Sequence, residues 1–187
     1  MPDYLQAIEA AWGAWVLSWA LAAPFSSRTV KRSGTMFLPL GVIFVAALLA
    51  QRFFPDFQDR ALWTLSRDAG WAMFGLTVAG FLFAWWARVT LGRLWSGTIT
   101  LKSDHHIVDT GPYGIVRHPI YTGLLFSAFA SAVAYGHTTG FAMAAVLVLS
   151  FFIKAAAEER FLSRELGADA YAAYRARVPM LVPFGPR

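Results

Sequence analysis

A chain of 187 residues that is 57% hydrophobic and only 14% charged falls well short of the roughly 25% charged residues of soluble domains, so most of its surface is not built to face water. The length suits one domain, and with no cysteine present disulfides, thiolate metal sites and a cysteine nucleophile are all excluded. A formal net charge of +5 brings nucleic acid to mind as a partner, but the placement of that charge makes such a partner unnecessary.

Five apolar segments follow one another, at residues 10–25, 36–50, 69–87, 122–135 and 140–153. A membrane span takes about 20 residues, with about 17 tolerated. Only the third reaches that length cleanly. The second can recruit Phe53 and Phe54 beyond Gln51 and Arg52, with the arginine snorkelling. The fourth can begin as early as Pro119, and the fifth can continue through Lys154 to Ala157. The first is flanked by Asp3 and Glu9 without Lys or Arg, the wrong flank for a signal peptide, and is expected to be retained as a helix. These segments predict an all-α integral membrane protein of about five transmembrane helices.

If the loops alternate sides, Arg52, Arg60 and Arg67 fall on one side and the other thirteen of the 16 Lys and Arg residues on the opposite one. Basic residues favour the cytoplasmic side, so the expected topology has the N-terminus outside and the C-terminus in the cytoplasm. The basic surplus is then a topology signal. The Ala- and Arg-rich composition suits a bacterial cytoplasmic membrane. Only residues 135–140 join the fourth and fifth helices, which must form an antiparallel hairpin. That hairpin brings the residues before Pro119 and those after Ile153 together at the cytoplasmic face.

Both places carry unusual polar residues. Pro119 disfavours helix at His118 and is well suited to open the next helix. His118 would then stand at a helix N-terminus, where free N–H groups favour an anion such as a carboxylate. Gly111, Pro112 and Gly114 allow close backbone approach to a ligand, while Tyr113 and Tyr121 offer aromatic faces that attract a cation such as a sulfonium. An interfacial loop with snorkelling arginine and belt tyrosines accounts for the same residues. In the second cluster Lys154 and Glu158 share one helical face, and Glu158 and Glu159 stand together near the bilayer boundary, where charge is costly. Glu159 points to a different face and is expected to matter less. Gly167 and Asp169 read as a helix stop and a new N-cap, opening a short amphipathic helix with Tyr171 and Tyr174.

Arg117-His118-Pro119-Ile120-Tyr121-Thr122-Gly123, followed by Glu158-Glu159, Leu166-Gly167, Tyr171-Ala172-Ala173-Tyr174 and Arg177-Val178-Pro179, resembles the isoprenylcysteine carboxyl methyltransferase family and the wider group that includes membrane phospholipid methyltransferases. The resemblance covers residues 98–184. It implies a single membrane methyltransferase domain over 1–187, with N-terminal helices in 1–97 and a cytoplasmic, cofactor-binding catalytic half in 98–187. The implied cofactor is S-adenosyl-L-methionine. The resemblance carries cofactor contacts onto Thr98, His105, His106, Ile107, Val108, Tyr113, His118, Pro119, Ile120, Tyr121 and Glu158. Lys154 falls where the eukaryotic enzymes carry an arginine that handles substrate; lysine is a point charge where arginine is a bidentate fork. The assigned catalytic roles go to His118, Glu158 and Lys154, the last positioning or charge-balancing the acceptor.

The implied acceptor is lipid-like or prenylated, enters from the bilayer, and ends in a carboxylate. A phospholipid amine or a small hydrophobic thiol fits the same residues, and for an amine Glu158, Glu159 or His118 could take the proton. Two other classes stay open: a non-enzymatic membrane scaffold, and a haem or metal protein using His105, His106, His118 and His137. The assignment carries no metal.

Overall fold

The computed structural model of the protein describes residues 1–25, 27–32, 60–103 and 106–185. Helix α1 spans Asp3–Ala22, with Asp3 in its first turn where the helix dipole favours a negative charge. Helix α2 spans Arg67–Leu91 and is capped by Ser66, whose hydroxyl accepts from the Ala69 amide. The two run in the same direction: Tyr4 covers Gly70, Trp12 meets Phe81 edge-on at 4.7 Å, and Trp19 meets Trp85 at 5.3 Å. Helix α3, Pro119–Tyr135, returns antiparallel to α2. Helix α4, Thr138–Leu166, forms the hairpin with α3, and the short α5, Ala168–Arg177, closes the chain.

The α2–α3 seam is built for close approach. A Cβ at Gly80 would lie 2.6 Å from the Gly123 carbonyl oxygen, and one at Gly123 would lie 2.5 Å from that of Gly80. Small residues on facing helices let backbones touch, and dispersion then holds helices together in lipid, where no hydrophobic force between them exists. Hydroxyls reinforce the seam. Ser127 donates to the Thr77 carbonyl at 2.8 Å, Ser131 donates to that of Ser127 at 2.8 Å, and the Trp12 indole donates to the Ser131 hydroxyl at 3.1 Å, tying α1 to the same seam.

At the far end, Gly136 turns α3 into α4 with φ of 66°, a left-handed value that glycine adopts without strain. A Cβ there would come within 2.4 Å of the Trp63 carbonyl oxygen. The Gly136 carbonyl accepts from the Leu62 amide at 2.7 Å, so the segment before α2 pairs with this turn.

Two helical stretches, Arg67–Leu94 and Thr138–Leu166, are long and apolar enough to cross a membrane, and Pro119–Tyr135 is a shorter apolar helix. Only 33% and 22% of the apolar windows of the two long stretches are buried inside the protein. A core helix of a soluble protein would be mostly covered, so these faces meet lipid. The chain is an integral membrane protein. Helix α1 replaces the expected segment 10–25 with an earlier start and end, while the expected segment 36–50 lies outside the described residues.

Among the described residues the structure departs from the all-α expectation in a short two-stranded ribbon. Strand β1, Thr29–Arg32, pairs antiparallel with β2, Thr100–Lys102. Each is too short to show an alternating pattern in sequence, and each is stabilised by the other. The buried Lys102 ammonium holds the ribbon by donating to the Ser27 carbonyl at 2.9 Å and the Thr29 hydroxyl at 3.0 Å. A second correction is small: Gly167, at φ of 101°, both ends α4 and caps α5, and Asp169 lies inside the first turn.

Candidate functional site

The residues that matter converge at one end of the bundle, where α1, α2 and α4 finish and α3 begins. Local backbone fixes the Arg117–His118 step. The Arg117 amide donates to the Pro179 carbonyl at 2.8 Å and the His118 amide to that of Met180 at 3.1 Å. The Thr122 hydroxyl adds a bond to the Leu181 carbonyl at 2.6 Å. The segment after α5 therefore lies alongside the start of α3. His118 precedes Pro119, the first residue of α3, as the proline rule requires.

Beneath the site is a buried ion pair. Arg117 Nε donates to Glu159 Oε1 at 2.7 Å, with side chains 2% and 5% exposed. Arg117 also bonds the carbonyls of Arg175 and Val178, and Arg175 Nε approaches Glu159 Oε2 at 3.4 Å. His118 bridges the two glutamates: Nε2 lies 3.2 Å from Glu159 Oε1 and Nδ1 lies 3.5 Å from Glu158 Oε2. Burial alone would lower the His118 pKa, but its bonds to Glu158 and Glu159 prevail and hold it above the ordinary value. The imidazole therefore keeps a positive charge to higher pH than a free histidine.

Above the ion pair the Tyr121 hydroxyl donates to both Glu158 carboxylate oxygens at 2.9 Å, which fixes the carboxylate. Tyr121 stacks with the His118 ring at 5.4 Å and 3° and with the Phe151 ring at 4.6 Å and 10°. The Lys154 ammonium lies 5.3 Å from the Tyr121 ring centroid and donates to the Gly97 carbonyl at 3.1 Å. Burial, then the nearby Glu158 charge, push the Tyr113 phenol well above its usual range, so it stays a donor. The Tyr174 hydroxyl donates to the Tyr113 carbonyl at 2.7 Å, docking α5 onto the Gly111–Gly114 turn.

These groups line a cavity of about 280 Å³. Of the residues expected in the site, Thr98, His106, Ile107 and Val108 line it from the loop after α2, and Tyr113, His118, Ile120 and Tyr121 from the turn and α3. Lys154 and Glu158 line it from α4. Pro119 does not; it is buried as the first residue of α3 and acts on the site through His118. His105 lies outside the described residues.

Other parts of the site were not legible as such in sequence. Glu159, which is expected to point to a different face from Glu158, is the buried centre of the ion-pair network, a role that its sequence position does not show. Trp15 and Trp19 of α1, and Trp95, also line the cavity; their spacing shows an aromatic face, but nothing local ties that face to residues a hundred positions away. His137 lies at the opposite end of α3 from His118. Seventeen helical residues separate the two ends, about 25 Å, so the two histidines cannot share a haem or metal.

Residues 73–164 match the family model of the isoprenylcysteine carboxyl methyltransferase family. The chain is 30% identical over 136 residues to protein-S-isoprenylcysteine O-methyltransferase B of Arabidopsis thaliana, covering 71% of this chain and 65% of that protein. It is also 30% identical over 170 residues to methanethiol S-methyltransferase 2 of Bradyrhizobium diazoefficiens, covering 82% of this chain and 64% of that protein. Among solved structures, the eukaryotic intramembrane Ras methyltransferase shares the fold with a TM-score of 0.54 at 19% identity, over 81% of this chain and 55% of that one. The chain spans less than two thirds of the length of each of these proteins.

Proposed function

The chain belongs to the isoprenylcysteine carboxyl methyltransferase family, and from that premise we propose that it is an S-adenosyl-L-methionine-dependent membrane methyltransferase acting on a lipid-like acceptor that ends in a carboxylate. The observation that carries this reading is the fixed carboxylate of Glu158 beside the stacked His118–Tyr121–Phe151 rings in one cavity.

The residues fit that cofactor. The Tyr121 ring draws a cation, with the Lys154 ammonium 5.3 Å from its centroid, and the other aromatic rings that line the cavity suit a sulfonium in the same way. Thr100 lines the cavity, and its buried hydroxyl has no hydrogen-bond partner among the described residues. Such an orphan costs about 1–3 kcal/mol, and a ligand hydroxyl would satisfy it. When bound, S-adenosyl-L-methionine supplies a methyl group on a sulfonium, which passes to an acceptor lone pair while the carbon–sulfur bonding pair stays on sulfur.

The chain's own residues bind, orient and exclude water. Glu158 would receive a cationic group of the cofactor, and His118, whose pKa its bonds to Glu158 and Glu159 raise, would hold the Glu158 carboxylate in place. Thr98, His106, Ile107 and Val108 form the adjoining wall, with Tyr113 as a hydroxyl donor. Lys154 balances the charge of an anionic acceptor. A carboxylate is already a nucleophile, so orientation is the main contribution, up to about 7–11 kcal/mol for well-placed reactants.

A thiolate acceptor is the second reading. The relative named for methanethiol matches over more of this chain than the isoprenylcysteine enzyme does, and a thiolate would meet the same Lys154. In either case the distribution of basic residues supports a site at the cytoplasmic face, with the acceptor entering from lipid.

Binding of labelled S-adenosyl-L-methionine to purified protein tests the cofactor half. His118→Ala and Glu158→Ala should each weaken binding by about tenfold or more, the worth of one charge-assisted hydrogen bond, while the protein still inserts. Unchanged affinity in both variants removes these residues from the site. Methyl transfer into membrane extract, with the product identified as a base-labile ester or a thioether, decides the acceptor.

A further inference from the structure

The cavity has two unlike walls. Among the described residues, every charged or histidine side chain that lines it comes from residue 98 onward: His106, Arg117, His118, Lys154 and Glu158. The first 97 residues contribute a largely apolar face, dominated by Trp15 and Trp19 of α1 and by Trp95. The walls meet where Lys154 Nζ donates to the Gly97 carbonyl at 3.1 Å.

The tryptophan wall is braced as a unit. Trp15 stacks on Trp19 at 4.8 Å and on Phe81 at 5.7 Å. Trp19 meets Trp95 edge-on at 5.8 Å, and the Arg88 guanidinium lies 4.6 Å from the Trp95 ring centroid. Helix α1 is also docked by contacts other than these rings. Its N-terminal half is held by the buried Tyr4 and Ile8 cluster and the Trp12–Ser131 bond, and its last turn by Arg88, which donates to the Ala22 carbonyl at 3.0 Å. Trp15 also carries an indole N–H that is buried and without partner among the described residues.

A methyl transfer brings together a polar, charged cofactor and an acceptor with an apolar body, and the cavity divides in the same way. We infer that Trp15 and Trp19, with Trp95, form the acceptor subsite, which takes the alkyl or prenyl body of an amphiphilic acceptor whose anionic reacting end lies at the Lys154 seam. The inference rests on the methyltransferase reading and makes the N-terminal helix a determinant of acceptor choice. The braced rings present a preformed surface, so little ordering accompanies binding.

The test uses the full chain in detergent or nanodiscs, with a series of N-acetyl-S-alkyl and S-prenyl cysteines of increasing size as probes. Three quantities are read: the cofactor dissociation constant, the probe KM and kcat, and quenching of tryptophan fluorescence by the probe alone. Trp15→Ala and Trp19→Ala should each raise KM for the best probe by about five- to tenfold, with kcat and cofactor affinity within about twofold. Trp19→Phe should restore most of the loss, which separates ring contact from misfolding. Unchanged KM across the series overturns the inference, as does an equal loss of cofactor affinity, which would assign the wall to the cofactor. A wild-type protein that binds no cofactor sinks the methyltransferase reading instead. Wild type that binds cofactor but shows neither quenching nor transfer with any probe overturns the acceptor subsite alone.

Discussion

Adjacent glutamates on α4 have separate tasks. Glu158 faces the cavity and is held by Tyr121; Glu159 is buried and neutralises Arg117. Removing one partner of a buried pair leaves an uncompensated charge, costing about 3–5 kcal/mol. Glu159→Ala is therefore expected to lower the thermal midpoint of the purified protein sharply, and Glu158→Ala to leave it nearly unchanged while weakening the cofactor. Equal midpoints for the two variants would show that the Arg117–Glu159 pair is not the anchor of the site. The raised His118 pKa adds to the same network. Its stabilisation is complete below the unfolded value of about 6.5 and is lost as pH rises through the higher folded value.

Among elements, the α2–α3 seam places the site, because α3 carries His118 and Tyr121 at its start. Gly123→Ala would put a methyl 2.5 Å from the Gly80 carbonyl oxygen. Overpacking of this kind costs about 1–3 kcal/mol and should tilt α3, so both thermal midpoint and cofactor affinity should fall. Gly75, also in α2, has nothing within 4 Å of an added Cβ. Gly75→Ala should match or exceed wild-type stability, since alanine is the better helix former by about 1 kcal/mol. Similar behaviour of the two alanine variants would mean the seam is looser than these distances.

For the whole molecule, the ends of α1, α2 and α4 and the start of α3 share one face with the β-ribbon, and the Gly136 turn lies on the other. Lys31 of β1 reaches Glu165 near the end of α4 at 2.6 Å, closing the site face from the side. Reporter fusions after Arg32, Arg93 and the C-terminus are expected to read cytoplasmic, and one near His137 external. A cytoplasmic signal at His137 would contradict the hairpin that joins the two clusters.

Composition and hydropathy determined that this is a membrane protein, because a lipid-facing surface demands apolar residues whatever the packing. The α3–α4 hairpin was legible because a six-residue connection permits only one arrangement, and His118 at the start of α3 because Pro119 restricts its neighbour. The motif residues named Glu158, Tyr121 and His118. Tertiary structure alone decided which glutamate is buried, since two neighbouring carboxylates are chemically identical until Arg117 arrives from 42 positions away. It also decided the β-ribbon, whose strands need each other, and the placement of Trp15 and Trp19 against the cavity. Those contacts join residues far apart in the chain, and local sequence carries no record of what a distant segment will bring.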